Sequence, residues 1–161
     1  MCCRGKTRYD GGGDLPIEVT GLSHIGIAVP DLAAAATVFR ERFSCKVSEP
    51  IDVPAQKVRI VYVDLGNARL ELIAPLGVDS PLAKFLEKRP EGGLHHVALA
   101  VADADDAAAA AKADGLRILG SGAPAAGHHG RPLFFLDPRA LLGTLTEIEQ
   151  APRAGDPPPS H

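Results

Sequence analysis

The feature that most constrains the fold is an internal repeat built on two histidine-containing strands. The first copy, residues 23–31, reads SHIGIAVPD, and the second, residues 96–103, reads HVALAVAD. The offset is 72 residues for the histidines (96 − 24) and also for the aspartates (103 − 31). A register that is kept through a strand and into the next element predicts a duplicated module.

Side chains along a strand alternate between its two faces. His24 therefore shares a face with two small residues, Gly26 and Ala28, while bulky aliphatic residues occupy the other face. His96 is followed by alanines in the same alternation. Small neighbours leave open space in front of an imidazole, so both copies predict a cavity on the histidine face. A single strand histidine is more often structural than a ligand, but two at equivalent positions bring these alternatives close to even.

The remaining elements follow the same order in both halves. In the first half we expect a strand at 21–29, a helix at 31–43 and strands at 45–49, 57–64 and 68–74. In the second half we expect a strand at 94–101, a helix at 103–114 and strands at 116–120, 132–136 and 143–150. This pattern predicts an α+β fold in which two repeated βαβββ modules form a curved sheet around a shared cavity. The candidate ligands described below lead us to expect a metal-containing cavity.

The predicted domain organisation is simple. A disordered leader at 1–18 precedes a single domain at 19–150, and a proline-rich disordered tail follows at 151–161. Within the domain, module one spans about 21–75, a linker helix about 80–90, and module two about 94–150.

Composition narrows the classes of partner and compartment. The chain has 161 residues and a formal net charge of −3, which gives no reason to expect nucleic acid or a membrane surface as a partner. No apolar run approaches the roughly 18 residues needed to span a bilayer, and the first residues lack the apolar centre of a secretory signal. Three cysteines make no disulfide framework, so we expect a reducing, cytoplasmic setting.

The last strand of each module carries a glutamate among apolar residues. These are Glu71 and Glu147, with an offset (147 − 71 = 76) close to that of the histidines. A carboxylate in an apolar strand loses hydration unless it is paired, solvated or bound to a metal. Two imidazoles and two carboxylates suit a divalent ion of borderline hardness. The alternative is that both glutamates lie on solvent-facing edges and both histidines are structural, and spacing alone leaves the two about equal.

Four segments resemble a known family over about residues 20–150. They are HIGIAV from His24, LELIAPLG from Leu70, DSPLAKFLEK from Asp79, and GLHH ending at His96. Together with the His, Glu, His, Glu order, they are similar to the vicinal-oxygen-chelate superfamily, which contains glyoxalases, bleomycin resistance proteins and dioxygenases. Within it, the likeness is greatest to the methylmalonyl-CoA epimerase family.

The resemblance implies a site, a reaction and an assembly. The implied metal ligands are His24, Glu71, His96 and Glu147, holding Co²⁺ or, failing that, Mn²⁺, Ni²⁺, Zn²⁺ or Mg²⁺. The implied activity is interconversion of the 2R and 2S forms of methylmalonyl-CoA, in propionate metabolism, by metal-assisted abstraction of the C2 proton through an enolate. Glu147 is the expected general base, and a homodimer is the expected assembly.

Two positions depart from the family pattern. Ile60 stands where some members have a glutamate that acts as one of two opposed bases, which leaves the second proton carrier unassigned. Residues 137–139 read Asp-Pro-Arg in place of the usual His-Pro-Lys, which we expect to alter the rim of the site.

Other residues and functions remain as alternatives. His95 should lie on the strand face opposite His96, and His128 and His129 are expected in a solvated loop. The same ligands would also serve a glyoxalase-like metal-dependent lyase or isomerase. A metal-free protein of the same fold that binds a small molecule between its modules is the alternative from a different functional class.

Overall fold

A computed structural model describes residues 16–141 and 143–153, and they form one mixed α+β unit. Its α-helices are α1 (Leu32–Arg42), α2 (Pro81–Lys88) and α3 (Ala104–Ala113). Its strands are β1 (Val19–Ala28), β2 (Lys46–Val47), β3 (Ile51–Val53), β4 (Val58–Asp64), β5 (Arg69–Pro75), β6 (Gly93–Val101), β7 (Ala125–Ala126), β8 (Pro132–Leu136) and β9 (Leu145–Gln150). The predicted α+β class is confirmed.

One sheet joins the two modules through their histidine strands. The order of strands is β2-β4-β5-β1-β6-β9-β8-β7, and β3 pairs with β4. β1 and β6 are antiparallel at the centre, and each has the last strand of its own module as a parallel neighbour, β5 beside β1 and β9 beside β6. This arrangement relates the modules by an approximate twofold and places the four candidate site strands side by side.

Each helix begins at a side-chain cap that the sequence provides. Asp31 accepts a hydrogen bond from the Ala34 amide, and Asp103 accepts from the amides of Asp105 and Asp106. These bonds satisfy amides that have no partner within the first helical turn. α1 and α3 cover the outer face of the sheet with separate apolar clusters, which leaves the histidine face free to form a cavity.

The structure corrects three details of the predicted strands. The expected strand at 116–120 is reduced to an isolated bridge between Ile118 and Leu136, because Gly120 and Gly122 adopt positive φ angles of 73° and 75° that turn the chain away. β3 and β7 were not predicted, since strands of two or three residues are too short to show an alternating pattern.

The division into leader, single domain and tail stays a prediction. Residues 1–15 and 154–161, where most of the leader and tail were predicted, lie outside the described part of the chain. No helix among the described residues is both long and apolar enough to cross a membrane.

Candidate functional site

The two repeat histidines meet at the centre of the sheet. In the β1–β6 pairing, His24 lies opposite Ala98 and Gly26 lies opposite His96, so both imidazoles project from neighbouring strands on one face. Their Nε2 atoms are 3.1 Å apart and their ring planes are nearly perpendicular, at 87°. The repeat therefore brings together two nitrogen donors that are 72 residues apart in sequence.

The parallel neighbours add a carboxylate on each side. β5 places Glu71 beside Gly26, and β9 places Glu147 beside Ala98. The Glu71 Oε2 atom lies 3.6 Å from the Nε2 of His24 and 3.5 Å from that of His96. The Glu147 Oε2 atom lies 4.0 Å and 3.5 Å from the same two nitrogens. All four side chains are buried, with residue exposures between 4% and 8%.

These separations fit a shared divalent cation. Two atoms that bond one ion at roughly 2.0–2.2 Å, at angles between a right angle and a tetrahedral one, are themselves about 2.8–3.6 Å apart. His24, Glu71 and His96 offer atoms that all lie within 4.8 Å of one another, and Glu147 approaches both imidazoles from the other side. The three-residue set can hold a metal ion, and the second carboxylate is placed to join it.

Burial strongly perturbs the ionisation of the four groups. It lowers the pKa of His24 to about 4 and that of His96 to about 3, so both imidazoles are neutral at pH 7 and offer a lone pair. It raises the pKa of Glu71 to about 7, and it raises the pKa of Glu147 well above its ordinary value. A divalent cation bound between these groups would stabilise both carboxylates in their charged forms.

A cavity opens directly against these side chains. It has a volume of about 390 Å³ and reaches from the site to helix α2. The lining residues are Gln56, Val58, Glu71, Ile73, Pro81, Leu82, His95, His96, Leu119, Gly120, Phe135, Leu145 and Glu147. An apolar wall with a few convergent polar groups is the usual form of a small-molecule site.

Three histidines outside the ligand set lie closer to the site than expected. His95 Nδ1 is 3.0 Å from His96 Nδ1, and the His95 side chain lines the cavity rather than the opposite side of the sheet. His128 and His129 are not simply solvated, because their Nε2 atoms lie 3.1 Å and 3.3 Å from the Tyr62 hydroxyl. Strand alternation and loop composition gave no signal for these contacts. The β1–β6 pairing shifts register between Gly26 and Ile27, where His95 is skipped, and the loop brings His128 and His129 to Tyr62.

The two departures from the family pattern have different surroundings. Ile60 is almost fully buried in the apolar cluster that contains Ile73 and Leu82. Asp137 caps a short 3₁₀ helix and binds the Arg139 guanidinium at 2.7 Å, well outside the four-residue set.

Comparison with known proteins agrees with this geometry. Residues 23–135 match the model of the Glyoxalase/Bleomycin resistance protein/Dioxygenase superfamily. The chain is 46% identical over 129 residues to an ethylmalonyl-CoA/methylmalonyl-CoA epimerase of Cereibacter sphaeroides, which covers 80% of this chain and 96% of that protein. It is 42% identical over 130 residues to the mitochondrial methylmalonyl-CoA epimerase of Bos taurus, covering 81% of this chain and 74% of that protein.

The fold also matches that of a solved structure. A variant of the Streptomyces coelicolor methylmalonyl-CoA epimerase, in complex with 2-nitronate-propionyl-CoA, superposes with a TM-score of 0.76 at 31% identity. The match covers 84% of this chain and all of that one. With its duplicated βαβββ modules and its buried His, Glu, His, Glu cluster, the chain belongs to the methylmalonyl-CoA epimerase family of the Glyoxalase/Bleomycin resistance protein/Dioxygenase superfamily.

Proposed function

We propose that this protein interconverts the 2R and 2S forms of methylmalonyl-CoA by removing the C2 proton and returning one to the other face. The observation that carries the proposal is the convergence of two neutral imidazoles and two buried carboxyls, of which Glu71, His96 and Glu147 line a cavity of about 390 Å³. The family relationship supports this substrate, and the name of the Cereibacter sphaeroides relative extends the chemistry to ethylmalonyl-CoA.

The residues that would hold a divalent cation are His24, Glu71, His96 and Glu147. Imidazole and carboxylate ligands together suit Co²⁺ and other first-row ions, and we propose Co²⁺ as the native metal. When bound, such a cation supplies Lewis-acid stabilisation of the negative charge that develops on the thioester oxygen, an effect worth several kcal/mol.

Glu147 is the residue that we propose as the general base. It faces the cavity, and its strand partner on β8 is Phe135, which cannot donate a hydrogen bond to the carboxylate. Burial, with Glu71 and Glu149 adding to the effect, raises the pKa of Glu147 well above its ordinary value. A carboxylate that is poorly stabilised as an anion takes a proton more readily, and a positioned base contributes roughly 10²–10⁴-fold to rate.

The carrier of the second proton has to be a group other than Ile60, which is apolar and buried in the cluster with Ile73 and Leu82. Among the described residues that line the cavity, His95 is the ionisable side chain that does not belong to the four-residue set.

The assembly and compartment are also part of the proposal. We propose a homodimer, as the resemblance implies, which light scattering coupled to size-exclusion chromatography would test. A reducing cytoplasmic setting and a role in propionate metabolism remain predictions.

The deciding experiment follows the C2 proton. The protein is stripped of metal, reloaded with Co²⁺, and incubated with 2S-methylmalonyl-CoA in deuterium oxide. We expect wash-in of one deuterium at C2 together with formation of the 2R epimer in the reloaded protein, and loss of both in the stripped protein. His24→Ala removes one candidate nitrogen donor while leaving the aliphatic core intact. We expect this variant to fold, to hold less metal and to lose C2 exchange.

Other outcomes would favour the alternatives. Metal-dependent turnover of a hemithioacetal, without C2 exchange of methylmalonyl-CoA, would indicate a glyoxalase-like enzyme. Binding of an acyl-CoA with no exchange and no metal in the parent protein would indicate the metal-free binding protein.

A further inference from the structure

A buried polar network lies behind one of the two site histidines. The Ser23 hydroxyl donates to Glu149 Oε2 at 2.6 Å, and the same oxygen of Ser23 lies 3.1 Å from His24 Nδ1. Glu149 is 8% exposed, and its other carboxylate oxygen accepts a hydrogen bond of 2.9 Å from the Arg131 Nη2. Arg131 is in turn fixed by donation from its Nε to the main-chain oxygen of Gln150 at 3.2 Å.

Proton counting in this network defines the state of the His24 ring. A serine hydroxyl has one proton to donate, and that of Ser23 goes to the carboxylate of Glu149. Its short contact with His24 Nδ1 is then a hydrogen bond in which Nδ1–H is the donor and Oγ the acceptor. The neutral imidazole consequently carries its proton on Nδ1, which leaves the lone pair of Nε2 directed at Glu71 and His96.

The network crosses between the modules. Ser23 and His24 belong to module one. Glu149 lies on β9 of module two, 126 residues from Ser23, and Arg131 lies in the loop before β8. The positive charge of Arg131 balances the negative charge of the Glu149 carboxylate. The exposed fraction of the side chain is only 15% for Arg131 and 11% for Glu149. A charge pair that is built so far from solvent holds its partners in one geometry.

We propose that Ser23, Glu149 and Arg131 act as positioning residues that hold His24 in the Nδ1-protonated tautomer, so that Nε2 is presented as a ligand to the divalent cation. The inference deepens the proposed function, because it rests on a cation at the same site. In metal sites generally, loss of such an outer partner lowers metal affinity roughly 10–100-fold.

The test uses the full chain and two variants. Ser23→Ala removes the acceptor for Nδ1–H, and Glu149→Gln keeps the side-chain volume while offering an amide donor that changes the direction of the network. Glu41→Gln removes one negative charge from an exposed position on α1 and serves as the matched control. The Kd for Co²⁺ is measured by competition with a chromophoric chelator, and the tautomer of His24 is measured by long-range ¹H–¹⁵N NMR in the metal-free and Zn²⁺-loaded states.

We expect the parent and Glu41→Gln to show Nδ1-protonated His24, and Ser23→Ala and Glu149→Gln to bind Co²⁺ roughly 10–100-fold more weakly, with an altered visible spectrum of bound Co²⁺. Parent-like Kd values in both variants would overturn the proposal, even if their melting temperatures fell, since that combination describes a purely structural network. An Nε2-protonated His24 in the metal-free parent would also overturn it. Failure of the parent to bind any metal would instead contradict the proposed function. The NMR spectrum of the metal-free protein would still show whether His24 carries its proton on Nδ1, as we propose, or on Nε2.

Discussion

The two modules supply equivalent ligands but surround them differently. The Nδ1 of His24 lies 3.1 Å from the Ser23 hydroxyl, whereas the Nδ1 of His96 lies 3.0 Å from the Nδ1 of His95. Glu71 is paired across the sheet with Tyr62, whose hydroxyl hydrogen bond opposes the effect of burial on its pKa, while Glu147 is paired with Phe135. The repeat therefore explains where the four candidate donors lie, while their different neighbours give the two carboxylates different surroundings.

The same contrast holds for the small residues under the rings. Gly26 and Ala98 are equivalent in the repeat (98 − 26 = 72), yet a Cβ added to Gly26 would lie 2.1 Å from Cε1 of His96. Ala98 carries its Cβ opposite His24 in a fully buried position. The His96 ring thus uses space that exists only because module one has glycine at this position.

The largest expected effect separates the two carboxylates. Glu147→Gln keeps an oxygen ligand but removes the base, so we expect metal to be retained and epimerisation to fall by at least about 10²-fold. Glu71→Gln should have a much smaller effect on rate, since we propose Glu71 as a ligand and not as the base. The measurement is deuterium wash-in together with interconversion of the two epimers, alongside elemental analysis for metal. If Glu147→Gln exchanged and epimerised at near the parent rate with metal bound, Glu147 would be only a ligand, as proposed for Glu71, and the base would lie elsewhere.

The next effect tests the packing of the His96 ring. Gly26→Ala places a carbon far inside the roughly 3.5 Å contact distance, so the ring has to move and Co²⁺ affinity should fall roughly 10–100-fold, as for a displaced ligand. Ala98→Gly is the matched control, because it removes a methyl group at the equivalent position and leaves both rings free. Equal Kd values for Co²⁺ in the two variants would show that the rings share their space symmetrically.

The smallest expected effect is the pH dependence of metal binding. The pKa of Glu71 is raised to about 7, so in the metal-free protein its carboxyl still holds a proton at pH 6, which a cation has to displace. The pKa values of His24 and His96 lie near 4 and 3, so these rings are already neutral and add no dependence there. Affinity for Co²⁺ should therefore rise from pH 6 to pH 8, by about tenfold in total for the Glu71 proton, because the dependence levels off above the pKa of about 7.

Glu71→Gln sharpens this experiment. The amide has no proton to release, so the slope of log affinity against pH should decrease by the contribution of Glu71, and the remaining slope belongs to Glu147. Calorimetry in buffers of different ionisation enthalpy measures the protons released in each case. An unchanged slope in Glu71→Gln would mean that module two alone controls the pH dependence.

Much of the architecture was predictable because it depends on local periodicity. The alternation around His24 and His96, the capping residues Asp31 and Asp103, and the matched offsets each report a backbone conformation that neighbouring residues impose. The exceptions were short or irregular segments, such as residues 116–120, where positive φ angles at Gly120 and, just beyond the segment, at Gly122 turn the chain away.

The candidate site was predictable only in part. Equivalent positions in a repeat indicate His24, Glu71, His96 and Glu147 without any knowledge of the sheet. Glu149 was absent from the predicted site, although it lies two residues beyond Glu147 on the same face of β9. Nothing in the linear pattern connects it to Ser23, because the contact depends on β1 and β9 both lying beside β6.

The sequence by itself predicted the duplication, the four candidate donors and the approximate helix boundaries, since each is carried by residue type at a fixed spacing. Only the tertiary structure decided which groups stand behind those donors: Ser23 and Glu149 behind His24, His95 behind His96, Tyr62 beside Glu71 and Phe135 beside Glu147. The physical reason is that ligand type is a property of a side chain, whereas the tautomer of an imidazole and the basicity of a carboxylate are set by hydrogen-bond partners and burial. Glu149 is distant from His24 in sequence and reaches it because β1 and β9 both lie beside β6. Tyr62 and Phe135 are placed by strand pairing within their own modules.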